Sequence, residues 1–437
     1  MTGIALALAL LAAPASPQDT LRLPALQQAA LARDPRARQA ALQERATALR
    51  LRNLDVERLP ALTGRAQATH QSEVPVIPIS LPGGAVPPEP PKDQYEARVE
   101  VEQLLYDGGV LSRRRDAERA QLGVEQARIA ADLQPLKDEV NEAFFTAFLL
   151  QERAAEISTL IEDLEARLTM LRSQVRAGAA LPGDTAVVMA TALRAIEDRA
   201  EVASGRRAAL GRLSVLTGMQ VSTGDVLALP QLAGAVESLR GAGGSPGAEP
   251  AAAIPAARPE YAVFAGRRER LSRDAAVISA RLRPQVSAFA QLAVGRPGFA
   301  QFERELHDYW VAGVRMRWAP FNWGTSDREH GLLEVQRQIV DSEEAAFTAR
   351  LQRQVQDELA DMERLETALE TDERIIALRE QVERQARAQL GEHAITAAAY
   401  VDVRTDLQDA RLLRQRHRVE LARARAGYLT TLGIELR

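Results

Sequence analysis

From Leu122 to Leu171 an apolar residue recurs at every seventh position: Leu122, Ile129, Leu136, Ala143, Leu150, Ile157, Leu164 and Leu171. Leu133, Val140, Ala147, Ala154, Ile161, Leu168 and Val175 form a companion series. An apolar seam of period 3.5 held for this long means a helix in coiled-coil packing with a left-handed supercoil. Residues 110–176 as helix would span roughly 100 Å. Gly178 then serves as a turn residue, because helices commonly end in a left-handed conformation that glycine adopts at little cost. The chain returns as a shorter helix over 184–217. Pro135 interrupts the pattern, at a cost of about 3 kcal/mol inside a helix, and predicts a kink or a break.

The same order of elements occurs twice. Residues 33–62 align without a gap to 257–286, with Pro35 on Pro259 and Pro60 on Pro284. "LYDGG" at 105–109 finds its counterpart in "PFNWG" at 320–324, Gly178 in Gly391, and "VLTG" at 215–218 in "TTLG" at 430–433. The second long helix carries a weaker seam, Val355, Met362, Leu369 and Ile376, and its return helix is expected over 397–432. A period this long means a duplicated module rather than a solenoid. The expected division is a signal peptide at 1–15, a first repeat at 16–218, a linker at 219–257 and a second repeat at 258–437. Gly, Ala, Pro and Ser crowd residues 233–257, which read as a linker or loose surface segment.

Before each glycine elbow the pattern changes to strict alternation. Tyr95, Ala97, Val99 and Val101 define an apolar face, and Glu96, Arg98, Glu100 and Glu102 a charged one. In the second repeat Trp310, Ala312, Val314, Met316 and Trp318 oppose Arg315 and Arg317. Period two means strands. Partner strands are expected at 62–71 and 285–294. The connection "EVPVIPISLPGGAVPPEPPKD" is too rich in proline for a strand interior or a helix and reads as an exposed loop. Trp310 and Trp318 lie about 26 Å apart along a strand, matching the ~25 Å apolar band of an outer-membrane barrel with its aromatic girdles. Four strands cannot close a useful barrel alone, so this reading needs several copies. A soluble antiparallel sheet with one half-buried face is the alternative.

Composition narrows the classes. The 437 residues carry a net charge of −4, no cysteine and only 4% aromatic residues. Disulfides, thiolate chemistry, Cys-ligated zinc and a cysteine-linked lipid are excluded. No basic block suits nucleic acid. His70, His307, His330, His393 and His417 are scattered without metal-ligand spacing, and carboxylates lie mixed with Arg on helical faces, so neither a metal site, a cofactor site nor a catalytic constellation emerges. Ile4–Ala13 forms an apolar run followed by small residues at 13 and 15, which reads as a secretory signal cut after Ala15. No later apolar run approaches the ~18 residues of a transmembrane helix. Arg113, Arg114 and Arg115 follow the first elbow, as a solvated helix start or an electropositive collar.

The signal, the duplicated helix–strand–strand–helix–helix order, the "LYDGG" and "PFNWG" elbows and the glycine hairpin tips together resemble the TolC-type outer-membrane efflux protein family, over essentially the whole mature chain. The resemblance implies a mainly α protein with a membrane β-barrel portion. It would be a homotrimer in which each chain gives four strands to a 12-stranded barrel, with helical hairpins forming a long hollow α-barrel through the periplasm and the linker lying at its equator. It implies an exit duct without enzymatic activity, serving an inner-membrane transporter through a periplasmic adaptor. Gly108, Gly109 and Gly324 would sit where strand turns into tunnel helix, Tyr95, Trp310 and Trp318 in the membrane girdle, and Gly178 and Gly391 at the tips that the adaptor grips. A periplasmic adaptor, or a structural coiled-coil envelope protein without a pore, is the alternative reading.

At the periplasmic gate the resemblance weakens. In the best-known form of the family, aspartates six and nine residues after the second tip glycine form an acidic ring. Those positions here are Ala397 and Tyr400. Asp184 matches an acid that latches neighbouring helices, but the place of its basic partner is taken by His393. The expectation is an entrance plugged by three Tyr400 rings, with a weak Asp184–His393 latch. A one-turn slip in register would instead make Asp402 and Asp406 the ring.

Overall fold

The computed structural model describes residues 20–75, 89–178, 181–242, 258–298, 305–392 and 394–436. The expected signal at 1–15, residues 76–88 of the proline-rich connection, residues 243–257 of the linker, and His393 lie outside the described residues. The first repeat contains β1 (Thr20–Leu21), α1 (Leu23–Arg33), α2 (Ala37–Val56), β2 (Ala61–His70), β3 (Asp93–Tyr106), α3 (Val110–Arg176) and α4 (Pro182–Thr217). Then come β4 (Val226–Leu227) and α5 (Ala233–Ala242). The second repeat contains α6 (Pro259–Arg281), β5 (Gln285–Arg296), β6 (His307–Arg317), α7 (Thr325–Gly391) and α8 (Ala397–Thr431). The segment after α4 is thus less loose than its composition suggests. β4 pairs in parallel with β1, and Ala233–Ala242 is helical.

Two compact units are built from both repeats. One comprises Gln39–Arg128 and Glu260–Ala345; the other comprises the chain up to Arg38, Ile129–Pro259 and Ala346–Arg437. The first unit holds an antiparallel sheet in the order β2-β3-β5-β6, which leaves β2 and β6 as edges. Its register puts Leu62 opposite Val101, Val99 opposite Leu292, and Leu292 opposite Trp310, so these apolar residues of the four strands share one face. The alternation read from the sequence is therefore coherent across the sheet. Helices of the unit are tied by ion pairs at their surface, Arg115 to Asp55 at 2.6 Å and Arg268 to Asp341 at 2.7 Å.

The second unit packs the rest of α3 and α7 with α1, α4 and α8. The heptad series does what its period requires. Ile129, Leu136, Ala143, Ile157, Leu164 and Leu171 are buried, and the last two pack with Val188, Ala192, Ala397 and Val401. α8 thus packs on the hairpin of α3 and α4. A polar network runs through the apolar interior: Gln27 donates to Asn141 at 2.6 Å, and Asn141 to the Thr430 hydroxyl at 3.1 Å.

Pro135 does not break α3, which runs unbroken from Val110 to Arg176. Proline supplies no N–H and disturbs the carbonyls of the preceding turn. The carbonyl that loses its helical donor is that of Ala131; the next one, that of Asp132, accepts from Arg36 Nη1 at 2.6 Å. Arg36 is itself held by Asp34 through Nε at 2.9 Å and Nη2 at 2.8 Å. A side chain 96 residues away in sequence thus supplies a donor beside the proline.

Candidate functional site

The sheet is the first candidate. Its apolar face is bare: Leu62, Leu292, Trp310, Val314 and Met316 are all more than 60% exposed, and Tyr95 is half exposed. Covering such a face with water is unfavourable at about 25 cal/mol per Å². The opposite face is polar and internally connected. Tyr309 donates to Glu96 at 3.3 Å, Arg98 lies 3.7 Å from Glu96, and the Arg315 guanidinium lies 4.7 Å from the centre of the Phe289 ring. Trp318 stands just past the end of β6, where its indole N–H donates to the Leu282 carbonyl at 3.1 Å.

The two elbows follow. Gly108, Gly109 and Gly324 have φ of +70°, +86° and +72°. A Cβ on Gly108 would lie 2.7 Å from the Cβ of Arg283, so this position needs glycine for space as well as conformation. At the first elbow the residue before the glycines caps the helix. Asp107 accepts from Gly109 N at 2.9 Å and Leu111 N at 2.6 Å at the start of α3. Such a capping acid, detectable in "LYDGG" by its place before the helix, went unread in the sequence. So did an aromatic pair in "PFNWG". Phe321 and Trp323 stack edge to face at 5.0 Å, and both are more than two-thirds exposed. Trp323 adopts φ +54°, a left-handed conformation that is strained for a bulky residue.

The hairpin ends are the third candidate. Gly178 has φ +74°, as a tip residue should. Gly391 differs: it is the last residue of α7 and remains helical, so the second turn falls on the residues that follow. Asp184 caps α4, its carboxylate accepting the Leu181 N–H at 3.2 Å. Its expected partner His393 lies outside the described residues. Ala397 is buried at the start of α8. Asp402 is exposed, and Asp406 pairs with Arg379 of α7.

Tyr400 corrects an expectation. It is only 8% exposed. Its hydroxyl donates to Glu383 at 2.8 Å, and the Arg167 guanidinium lies 4.3 Å from its ring centre. Burial, reinforced by the Glu383 carboxylate, raises its pKa above the ordinary phenol value. A ring held on both sides by its own chain is not a free plug. Arg404, 10% exposed at its side chain, pairs with Asp163 nearby. Arg167 and Asp163 belong to α3, and Tyr400 and Arg404 to α8, so the four residues clamp one hairpin to the other. Spacing could not find them, because the clamp joins residues 233 and 241 positions apart.

The described residues contain no helix long and apolar enough to cross a membrane, and no three potential metal ligands converge. No family model and no curated protein matches the sequence. Solved structures do. A crystal structure of CusC, described for its folding and transmembrane channel formation, is 16% identical, with a TM-score of 0.68 over 94% of this chain and 92% of that one. This chain has the fold of the TolC-type outer-membrane channels. The outer-membrane protein VceC of Vibrio cholerae matches over 95% of this chain and 97% of its own at 12% identity, with a TM-score of 0.64. The open-state channel MtrE of Neisseria gonorrhoeae does so over 95% and 90% at 17% identity, also with 0.64. The four-stranded sheet and the long paired helices are the parts of this chain that the shared fold comprises.

Proposed function

We propose that this chain is the outer-membrane exit duct of a tripartite efflux or secretion system. It would conduct passively what an inner-membrane pump and a periplasmic adaptor hand over. One observation carries the reading: a four-stranded sheet with a bare apolar face, a polar face and two open edges, within a fold shared with outer-membrane channels. Lipid suits the apolar face, and a watery lumen suits the other. Open edges are not tolerated in a bilayer, and four strands are too few for a barrel. Three copies would supply twelve strands and pair every edge.

The adaptor would grip the hairpin ends around Gly178 and Gly391, where small residues permit close approach. The Tyr400–Glu383, Arg167–Tyr400 and Arg404–Asp163 contacts would hold the entrance closed, with the exposed Asp402 placed to interact with multivalent cations. The test is fractionation followed by planar-bilayer recording. The duct should be found in the outer membrane as a heat-sensitive oligomer and should form pores that Tyr400→Phe with Arg404→Ala opens further. A soluble, detergent-free monomer would instead favour the structural coiled-coil reading.

A further inference from the structure

α3 and α8 line a cavity of about 380 Å³ whose walls differ in kind. Leu149 of α3 and Leu412 and Leu413 of α8 supply apolar surface, and Arg153, Arg416 and Asp409 stand around it. These three charged residues are exposed and form no ion pair among the described residues. Gln415 completes the lining, and its Oε1 is buried with no hydrogen-bond partner among the described residues. Elsewhere between the two helices charges are matched: Asp163 pairs with Arg404, and Glu152 with Arg418 at 4.0 Å. Helix geometry gives the side on which the cavity lies. Gln151 binds the backbone of β4, accepting from Leu227 N at 3.1 Å and donating to Leu227 O at 3.2 Å. Leu149 and Arg153 stand two residues to either side of it, each about 160° away round the helix. The cavity is therefore on the face of α3 turned away from the β1–β4 sheet.

We infer that this cavity binds a small organic carboxylate that has an apolar body and an N–H or O–H group. Charge places the carboxylate. Arg153 and Arg416 lie one and two residues from the Glu152–Arg418 pair, so both stand near one level. Asp409 lies seven residues before Arg416, about 10 Å away along α8. The carboxylate belongs at the arginine end, where two guanidinium forks can reach it, and away from Asp409. The leucines take the apolar body. Gln415 Oε1 takes the remaining hydrogen: a buried acceptor without a donor costs free energy, so a ligand that brings a donor is favoured over one that does not. The volume falls within the ~300–1,000 Å³ of small-molecule sites. A bare inorganic anion would use the arginines and leave the leucines and Gln415 unfilled.

Indole-3-acetate has all three features and serves as the probe. Titration calorimetry on the full chain, kept soluble in amphipol so that no micelles compete for the probe, should show saturable binding. Tryptamine, the same ring bearing an ammonium group, should bind about tenfold more weakly. 1-Methylindole-3-acetate, which lacks the N–H, should lose about threefold. Arg153→Gln with Arg416→Gln should weaken indole-3-acetate about tenfold with little change in melting temperature, because both side chains are exposed. Gln415→Met should abolish the preference for the N–H form over the N-methyl form.

Absence of saturable indole-3-acetate binding overturns the site. Equal binding of indole-3-acetate and tryptamine to the wild-type chain, or full binding to the double arginine variant, overturns the carboxylate assignment. An N–H preference that survives Gln415→Met overturns the role of the amide. None of these measurements needs an open pore, so failure of the site leaves the proposed duct standing, and failure of the duct in bilayer recording leaves the site standing.

Discussion

Glu358 of α7 accepts from Thr431 Oγ1 at 2.7 Å and Gln354 Nε2 at 3.1 Å, yet its second carboxylate oxygen is buried with no hydrogen-bond partner among the described residues. Burial raises its pKa above the ordinary carboxylate value, against the pull of those two bonds. The folded state then holds this proton more tightly than the unfolded chain does. The charged form costs stability above the folded pKa, and the cost is relieved as pH falls through it. Glu358→Gln is therefore expected to raise the melting temperature in detergent at pH 8, on the order of 1 kcal/mol. The gain should vanish near pH 4, where the native carboxyl is already protonated. Neighbouring strand residues make the sharpest contrast at this scale. Val314→Arg, on the bare face, should cost about 2–4 kcal/mol in lipid. Arg315→Ala, on the polar face, should lose only the contact with Phe289, about 0.5–1 kcal/mol. Reversal of the two in urea titrations of the membrane-inserted protein would mean that the faces are exchanged.

Among the elements, the two hairpins are held differently. α3 and α4 meet through Ile157, Ile161, Ala195 and Val202. Between α7 and α8 stand Glu366–Arg425 at 2.9 Å, Asp372–His417 at 2.7 Å, Glu380–Arg411 at 2.8 Å and Glu383–Tyr400 at 2.8 Å. These polar contacts accompany the weaker apolar seam of the second hairpin: polar pairs stand where apolar side chains meet in the first. Salt should reach the second hairpin more than the first, because the part-exposed pairs Glu366–Arg425 and Glu380–Arg411 are screened and apolar contacts are not. Amide exchange in α8 is expected to quicken between 0.1 and 1 M salt while that in α4 holds. The turn at Pro135 gives a separate test. Arg36→Met removes the donor to the Asp132 carbonyl and should cost about 1–2 kcal/mol. Asp34, whose pKa is lowered chiefly by its hydrogen bond to Arg36, should return toward the ordinary carboxylate value. Because that carboxyl is depressed in the folded state, its contribution is present above the unfolded pKa and lost as pH falls through the folded one. Wild type and Arg36→Met should therefore converge in stability at acid pH.

For the whole molecule, the expectation is an oligomer that needs detergent and has a mostly helical circular dichroism spectrum. Bulky substitution at the tip, Gly178→Trp, should abolish efflux and leave oligomer assembly intact, because nothing lies within 4 Å of a Cβ there. The left-handed φ of Gly178 adds a local strain to that variant, so Gly391→Trp, on helical backbone, is the cleaner companion. Loss of assembly in both would mean that the ends serve the turn and not a partner.

Elements whose period is local could be read from the chain alone. A heptad carries its own register, alternation fixes which residues of a strand share a face, and glycine before a helix marks a sharp turn wherever it occurs. These sufficed for the strands, the long helices, the elbows and the resemblance that named the fold. The tertiary structure decided what depends on distant partners. It turned Tyr400 from an exposed plug into part of a clamp, because Arg167 and Glu383 reach it from two other helices. It kept α3 unbroken at Pro135, with Arg36 bonded one residue beyond the affected carbonyl. It kept Gly391 helical where Gly178 turns left-handed. Apolar period is written residue by residue along the chain. A hydrogen bond between helices depends on the level at which they lie side by side, and packing sets that level.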